Sequence, residues 1–209
     1  MRLLKIKAKK KIESDDGLVI PGSRKELERS DCLPDGYDGN TYRLFGTLGT
    51  FLTVDPGLGG TGWAVWSRET FKACCPPLDS GAIVLARRSR PWWWHCIEIA
   101  ERVRCIMQQS SAAIVYVEQP QFMEAGKGLA AARDGDLVKL TSIFGAIMGV
   151  CNNQSRLFCP VPIPEWKGNM PKDVFEPRIR SRIPKWKPKT GTTHEMDAVG
   201  IGLFVKGHL

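Results

Sequence analysis

The sequence has no CxxC pair and only three histidines, which argues against a zinc site. Its seven cysteines are odd in number and show no framework spacing, so reduced thiols in a cytoplasmic protein are the natural reading. No apolar run reaches the ~18 residues a membrane span needs, and no membrane partner is expected. The basic start, Met1 to Lys11, lacks the apolar stretch of a signal peptide. Acidic residues are in the minority, 22 against 30 Lys and Arg, giving a net charge of +8. A surplus of this size favours a polyanionic partner, nucleic acid before an acidic membrane surface.

Residues 1–48 differ from the rest. Arg2, Lys5, Lys7, Lys9, Lys10 and Lys11 form a basic head, and an acidic, turn-rich stretch follows with Asp15, Asp16, Asp31, Asp35 and Asp38. No period of 2 or 3.6 is sustained here, so this is an N-terminal extension without a core. A solvated tail and an arm that touches DNA are both open. Residues 49–209 form the second unit and carry the periodic elements.

Strands are expected at Phe51–Val54, Gly62–Trp66, Ala82–Ala86, Ala113–Glu118 and Leu157–Ile163. A helix with Pro91 at its first position should run over 91–109, burying Cys96, Ala100, Val103 and Met107. A second helix, capped by Asp134 or Asp136, should run to about Val150 with Leu137, Leu140, Phe144, Ile147 and Met148 inward. Pro171–Ile183 reads as helical, and Thr192-Thr193-His194-Glu195 resembles a capping box opening a last helix. Three closely spaced strands imply an antiparallel meander, and the later strands join in parallel by helical crossovers. The fold class is therefore α/β, a mixed five-stranded sheet flanked by helices.

Three acids stand at informative places. Asp55 ends the first strand, Glu118 ends the fourth, and Asp197 lies one turn into the last helix, three residues after His194. If the first and fourth strands are neighbours, these four side chains converge. A buried acid needs a partner or a metal. Converging carboxylates suit Mg²⁺ or Mn²⁺, and two such ions about 3.5–4 Å apart can clamp the attacking and leaving oxygens of a phosphodiester. The structural alternatives are a turn cap for Asp55 and a surface histidine at a helix start for His194. The helix N-terminus is expected to disfavour the imidazolium.

These residues carry a resemblance. Val54-Asp55-Pro56-Gly57 with Thr61-Gly62-Trp63, then Val117-Glu118-Gln119, then His194-Glu195-Met196-Asp197-Ala198 are similar to the motifs of RuvC-like Holliday junction resolvases of the RNase H superfamily. The resemblance covers residues 50–209, and the extension before it is closer to phage-encoded relatives than to compact bacterial ones. It implies an RNase H-like nuclease domain, a homodimer, a four-way junction or other branched DNA as substrate, and products with 5′ phosphates. It implies Asp55, Glu118 and Asp197 as catalytic metal ligands. His194 stands where the family carries aspartate or histidine, as a further ligand or a proton carrier. Trp166 to Lys172 resembles a lysine–glycine–lysine region shortened between its lysines, which offers Lys167 and Lys172 as phosphate contacts. Phe122 lies near the family's aromatic wedge position.

Arg178, Arg180, Arg182, Lys185, Lys187 and Lys189 join Lys167 and Lys172 in a basic cluster directly before the last helix, where a DNA backbone would lie. A solvated basic face is the plainer reading. Trp92-Trp93-Trp94 opens the first helix, suited to packing or to base stacking. Asp-Pro-Gly-x-x-x-Thr-Gly is also similar to the phosphate loop of actin-like ATPases, but those need a second domain for which this chain is too short. Another nuclease of the same superfamily and a non-catalytic junction-binding protein stay open as alternatives.

Overall fold

A computed structural model describes residues 49–67, 75–85, 91–121, 135–168 and 170–209. The extension 1–48 and Phe122 lie outside the described residues, as does Asp134. β1 (Thr50–Asp55) is buried at every position after the first. Such a continuous run suits a central strand covered on both faces. The turn at 56–60 returns the chain into β2 (Thr61–Ser67), antiparallel to β1 with Asp55 opposite Gly62. β3 (Asp79–Ile83) adds antiparallel to β2. β4 (Ile114–Gln119) lies parallel to β1, and β5 (Leu157–Pro162) parallel to β4. The sheet order is β3-β2-β1-β4-β5, the mixed five-stranded sheet expected.

β3 sits three residues earlier than the apolar run Ala82–Ala86 suggested. Its register is held at the polar end, where the buried Ser80 hydroxyl donates to Glu195 at 2.9 Å. Val84, past the last sheet pair, is 57% exposed.

α1 (Trp92–Gln109) and α2 (Asp136–Asn153) pack on each other over one face of the sheet. Pro91 is the N-cap of α1 rather than its first helical residue, because its ψ of 149° is extended. The inner face of α1 is Cys96, Ile99, Ala100, Val103 and Met107, as the periodicity requires. Trp92, Trp93 and Trp94 are 44%, 51% and 38% exposed, so they are not core. α2 starts after Gly135, which takes a left-handed φ of 73°, and no side chain caps it. Asp136 is a first-turn acid that pairs with Lys139 at 2.7 Å. The buried face of α2 is Ile143, Ile147 and Cys151, whereas Met148, expected inward, is 48% exposed.

A short α3 (Ile163–Trp166) follows β5, then α4 (Lys172–Arg182) and α5 (Thr193–Val205). α5 is apolar nearly all round, as a helix pressed between a sheet and other helices must be. It packs on β1 and β2. The Thr53 hydroxyl donates to the Ala198 carbonyl at 2.8 Å and accepts from the Trp66 indole at 3.0 Å. These bonds set the depth of α5 against the sheet.

Candidate active site

β1 and β4 run side by side in the same direction, with Val54 paired to Val117. Asp55 and Glu118 are the next residues of each strand, so both stand at one end of the sheet. α5 begins at that end, because Gly62 lies under its first turn. A Cβ on Gly62 would fall 1.8 Å from the His194 carbonyl oxygen, so only glycine permits this approach. Gly57 does the same for the ring. A Cβ there would meet His194 Cε1 at 2.3 Å.

His194 Nδ1 is 2.7 Å from Asp55 Oδ2, and Asp55 is only 4% exposed. Lys167, just after α3, donates from Nζ to Asp197 Oδ1 at 2.8 Å. Among the described residues, no cation forms an ion pair with Glu118. Burial, then the charges of Asp55 and Asp197, push its pKa up to about 9, against the opposing pull of Lys167 and Trp166. The Trp166 indole N–H is buried without a bonded partner among the described residues. It lies near enough to Glu118 to hold that pKa down. Asp197 is also raised, by burial and the Asp55 charge, with Lys167 opposing. His194 is raised chiefly by its hydrogen bond to Asp55. The helix start was expected to disfavour the imidazolium. The adjacent carboxylate outweighs it, because a direct charge-assisted bond exceeds a terminal dipole.

Asp55, Glu118, His194 and Asp197 are thus brought together, as two bonded pairs that share their field with one unpaired acid. The donor set is rich in carboxylate oxygen, the choice of a hard divalent cation. The upward shifts of Glu118 and Asp197 mark a site short of positive charge. Among the described residues, no group of three or more His, Cys, Asp or Glu side chains is arranged to hold a metal ion as it stands. The reason is visible, since Asp55 is turned to His194 and Asp197 to Lys167. A cation would have to displace these two contacts.

The basic residues divide. Lys167 belongs to the acid cluster and is engaged by Asp197. Lys172 lies 3.5 Å from Glu176, and Lys189 pairs with Asp79. Arg178, Arg180, Arg182, Lys185 and Lys187 are exposed. Sequence reasoning named Trp166 and Gly57 only as members of motifs and gave them no role of their own, and it gave Glu195 no role at the site. The last was read as half of a capping box. Thr192 does cap the Glu195 N–H at 3.3 Å, but the Glu195 carboxylate bonds elsewhere.

A mixed sheet of this order, with helices on both faces, defines an RNase H-like fold. More narrowly, the chain has the fold of RuvC. It is similar to Thermus thermophilus RuvC at a TM-score of 0.54 and 18% identity over 74% of this chain and 91% of that one. It is similar to T. thermophilus RuvC in complex with Holliday junction substrate at a TM-score of 0.56 and 16% identity, over 74% and 90%. No family model matches the chain, and no curated protein does. No helix among the described residues is long and apolar enough to cross a membrane.

Proposed function

We propose that this chain is a divalent-metal-dependent endonuclease that hydrolyses phosphodiester bonds in branched DNA, with the four-way junction as its substrate. The observation that carries the reading is the convergence of buried Asp55 with half-buried Glu118 and Asp197 at one end of a RuvC-type sheet. The T. thermophilus relative of the same fold holds a Holliday junction substrate. The net charge of +8 agrees with a polyanion.

Asp55, Glu118 and Asp197 would hold two Mg²⁺ or Mn²⁺ ions, with His194 as a fourth group. Bound divalent ions supply hydroxide near neutral pH and offset charge on the leaving oxygen. The chain's own part is to keep the acids close together. Glu118, its pKa raised to about 9, would serve as a ligand in its ionised form. Lys167 holds Asp197 at 2.8 Å, a contact that a bound cation would have to replace. His194 holds a proton against Asp55, which suits either a ligand that must first lose it or a proton carrier. The exposed arginines and lysines of α4 and the following loop grip the DNA backbone. Cleavage leaves 5′ phosphates.

The protein acts as a homodimer. Val138 and Met148 on the outer face of α2 are 60% and 48% exposed, with Gly145 and Gly149 between and beside them. A stripe of this kind suits close approach of a second α2.

Incubation with synthetic four-way junctions, with Mg²⁺ or with EDTA, tests the reading. Paired, Mg²⁺-dependent nicks near the branch point are expected. Binding without cleavage in every divalent metal would favour the non-catalytic junction binder, and equal cutting of RNA hybrids or linear duplex would favour another nuclease of this fold.

A further inference from the structure

α5 carries two acids. Asp197 belongs to the candidate site, and Glu195 does not. Glu195 is fully buried at 0% exposure. Its Oε1 accepts from the Ser80 hydroxyl at 2.9 Å and from the Lys189 backbone N–H at 3.0 Å. Its Oε2 accepts from the Thr190 backbone N–H at 2.8 Å and the Thr190 hydroxyl at 2.6 Å. Ser80 Oγ in turn accepts from the Trp186 indole at 3.1 Å.

An ordinary capping box returns its carboxylate to the N-cap N–H. Here the carboxylate reaches past Thr192 to residues of the preceding loop. That loop, 184–191, reads Pro-Lys-Trp-Lys-Pro-Lys-Thr-Gly and has no helix or strand. Trp186 is buried in it, while Lys185 and Lys187 on either side are exposed. The Lys189 side chain is pinned by Asp79 of β3. The loop is therefore held at its backbone by Glu195, through its tryptophan by Ser80, and at Lys189 by Asp79. Burying an ionised carboxylate is costly unless it is fully bonded. A solvated basic tail would need no such anchor.

We infer that Glu195 is a positioning residue for DNA engagement: it ties the lysine-rich loop to the first turn of the helix bearing His194 and Asp197, so that Lys185 and Lys187 meet the backbone in register with the candidate site. The inference rests on the nuclease reading, which supplies the polyanion. A free basic loop also attracts phosphate, but it must be ordered on binding and does not place the strand. The anchor removes the first cost and supplies the placement.

The test uses the full chain and a synthetic four-way junction. Affinity is measured in EDTA across a salt series, and single-turnover cleavage in Mg²⁺. Glu195→Gln leaves Ser80, Lys189 and Thr190 with one donor too many and should weaken junction binding about tenfold. It should also flatten the log–log salt slope by about 1 to 2, at roughly 0.9 for each phosphate no longer neutralised, and slow cleavage at saturating enzyme. Thr190→Val removes the 2.6 Å bond and the 3.1 Å hydroxyl contact with Thr192, leaves the other three bonds of Glu195 in place, and should shift all three readings the same way by less. It decides the matter if Glu195→Gln does not fold. In a Lys185→Gln/Lys187→Gln background, Glu195→Gln should cost no further affinity, since both act through the same phosphates. A lower melting temperature with wild-type slope, affinity and rate would make Glu195 merely structural and overturn the inference, as would full additivity with the lysine pair. Wild-type protein that neither binds nor cuts junctions would overturn the nuclease reading itself.

Discussion

At the scale of the residue, the acids make two separable predictions. Asp55→Asn, Glu118→Gln and Asp197→Asn should each abolish Mg²⁺-dependent cleavage of junctions, while metal-free junction binding survives. An active amide variant would remove its residue from the site. Stability should move the other way. Glu118 is raised to about 9 in the folded chain, above its ordinary value of 4.5, so its contribution is complete below about pH 4.5 and is lost as pH rises toward 9. Asp197 and His194 are raised too and act in the same direction, whereas Glu195, lowered by its bonds, acts in the opposite one and only toward acid. In EDTA the melting temperature should therefore fall from pH 5 to pH 9, and Glu118→Gln, which carries no titrating group, should melt higher than wild type at pH 8. Mg²⁺ should reverse the wild-type trend. A flat wild-type profile in EDTA would show that the acids do not feel one another. The positions of these acids were legible in the sequence because a charge at the end of an apolar strand, or inside an apolar helix, has few other uses. Lys167 as a partner of Asp197 was not, because a contact between residues thirty apart carries no local signal. Glu195 was misread for a related reason. Its local pattern fits a capping box, and only the tertiary position of Ser80 and the 184–191 loop redirects it.

At the scale of the element, the junction of α5 with the β1–β2 hairpin is the part that sets His194 against Asp55. Two glycines permit it, and they fail differently. Gly62→Ala sets a methyl 1.8 Å from a backbone oxygen, which cannot rotate away, so α5 must lift off β2. The expected cost is about 3 kcal/mol or more, a fall of roughly 10 °C in melting temperature, together with loss of cleavage. Gly57→Ala meets the His194 ring, but also the Gly60 carbonyl oxygen at 2.4 Å, so the turn must give as well. It should cost less stability than Gly62→Ala and still break the His194–Asp55 pair. An NMR titration of the His194 ring would then show its pKa falling toward the ordinary 6.5, since the bond to Asp55 is what raises it. An unchanged His194 pKa in Gly57→Ala would show that the turn does not position the ring. The strands and helices themselves were readable from periodicity, and the meander and the parallel crossovers from the spacing of the connections, whereas the pairing of β1 with β4 entered only as a condition and is set by the structure. β3 was misplaced because its inner half, Asp79-Ser80-Gly81, is polar or small and is held by hydrogen bonds rather than by apolar burial. On the inner face of α2, Ile147 and Phe144 were placed as found, and Met148 was misplaced because the helix is apolar on more than one side.

At the scale of the molecule, that second apolar side has a consequence. α1 and α2 cover one face of the sheet, while α5 and the α4 packed on it lie on the other. Among the described residues, exposed basic groups cluster on α4 and the loop after it, whereas α2 carries exposed apolar ones. Neutralising Arg178, Arg180 and Arg182 together should lower the salt dependence of junction binding by up to about 2.7 in log–log slope, at roughly 0.9 per phosphate. An unchanged slope would make α4 a solvated face. The apolar side asks for a different partner. Val138 and Met148 are exposed on α2, and a Cβ on Gly145 or Gly149 would meet nothing within 4 Å. These four positions fall along one side of an α-helix, and a twofold axis across it would pair each copy of the stripe with the other. Such a dimer leaves both basic faces open, which a four-way junction with two symmetry-related strands requires. Met148→Lys should then convert a dimer into a monomer in sedimentation equilibrium. Because residue 148 is exposed in the single chain, its melting temperature at low protein concentration should hold within a few degrees. Cleavage should change in kind rather than vanish. On a supercoiled cruciform, wild type should linearise the plasmid within one binding event, and the variant should accumulate nicked circles. A wild-type chain that sediments as a monomer and still linearises the cruciform would place symmetric cutting outside the α2 stripe. A Met148→Lys dimer would move the interface to the exposed Trp93 and Ile97 side of α1.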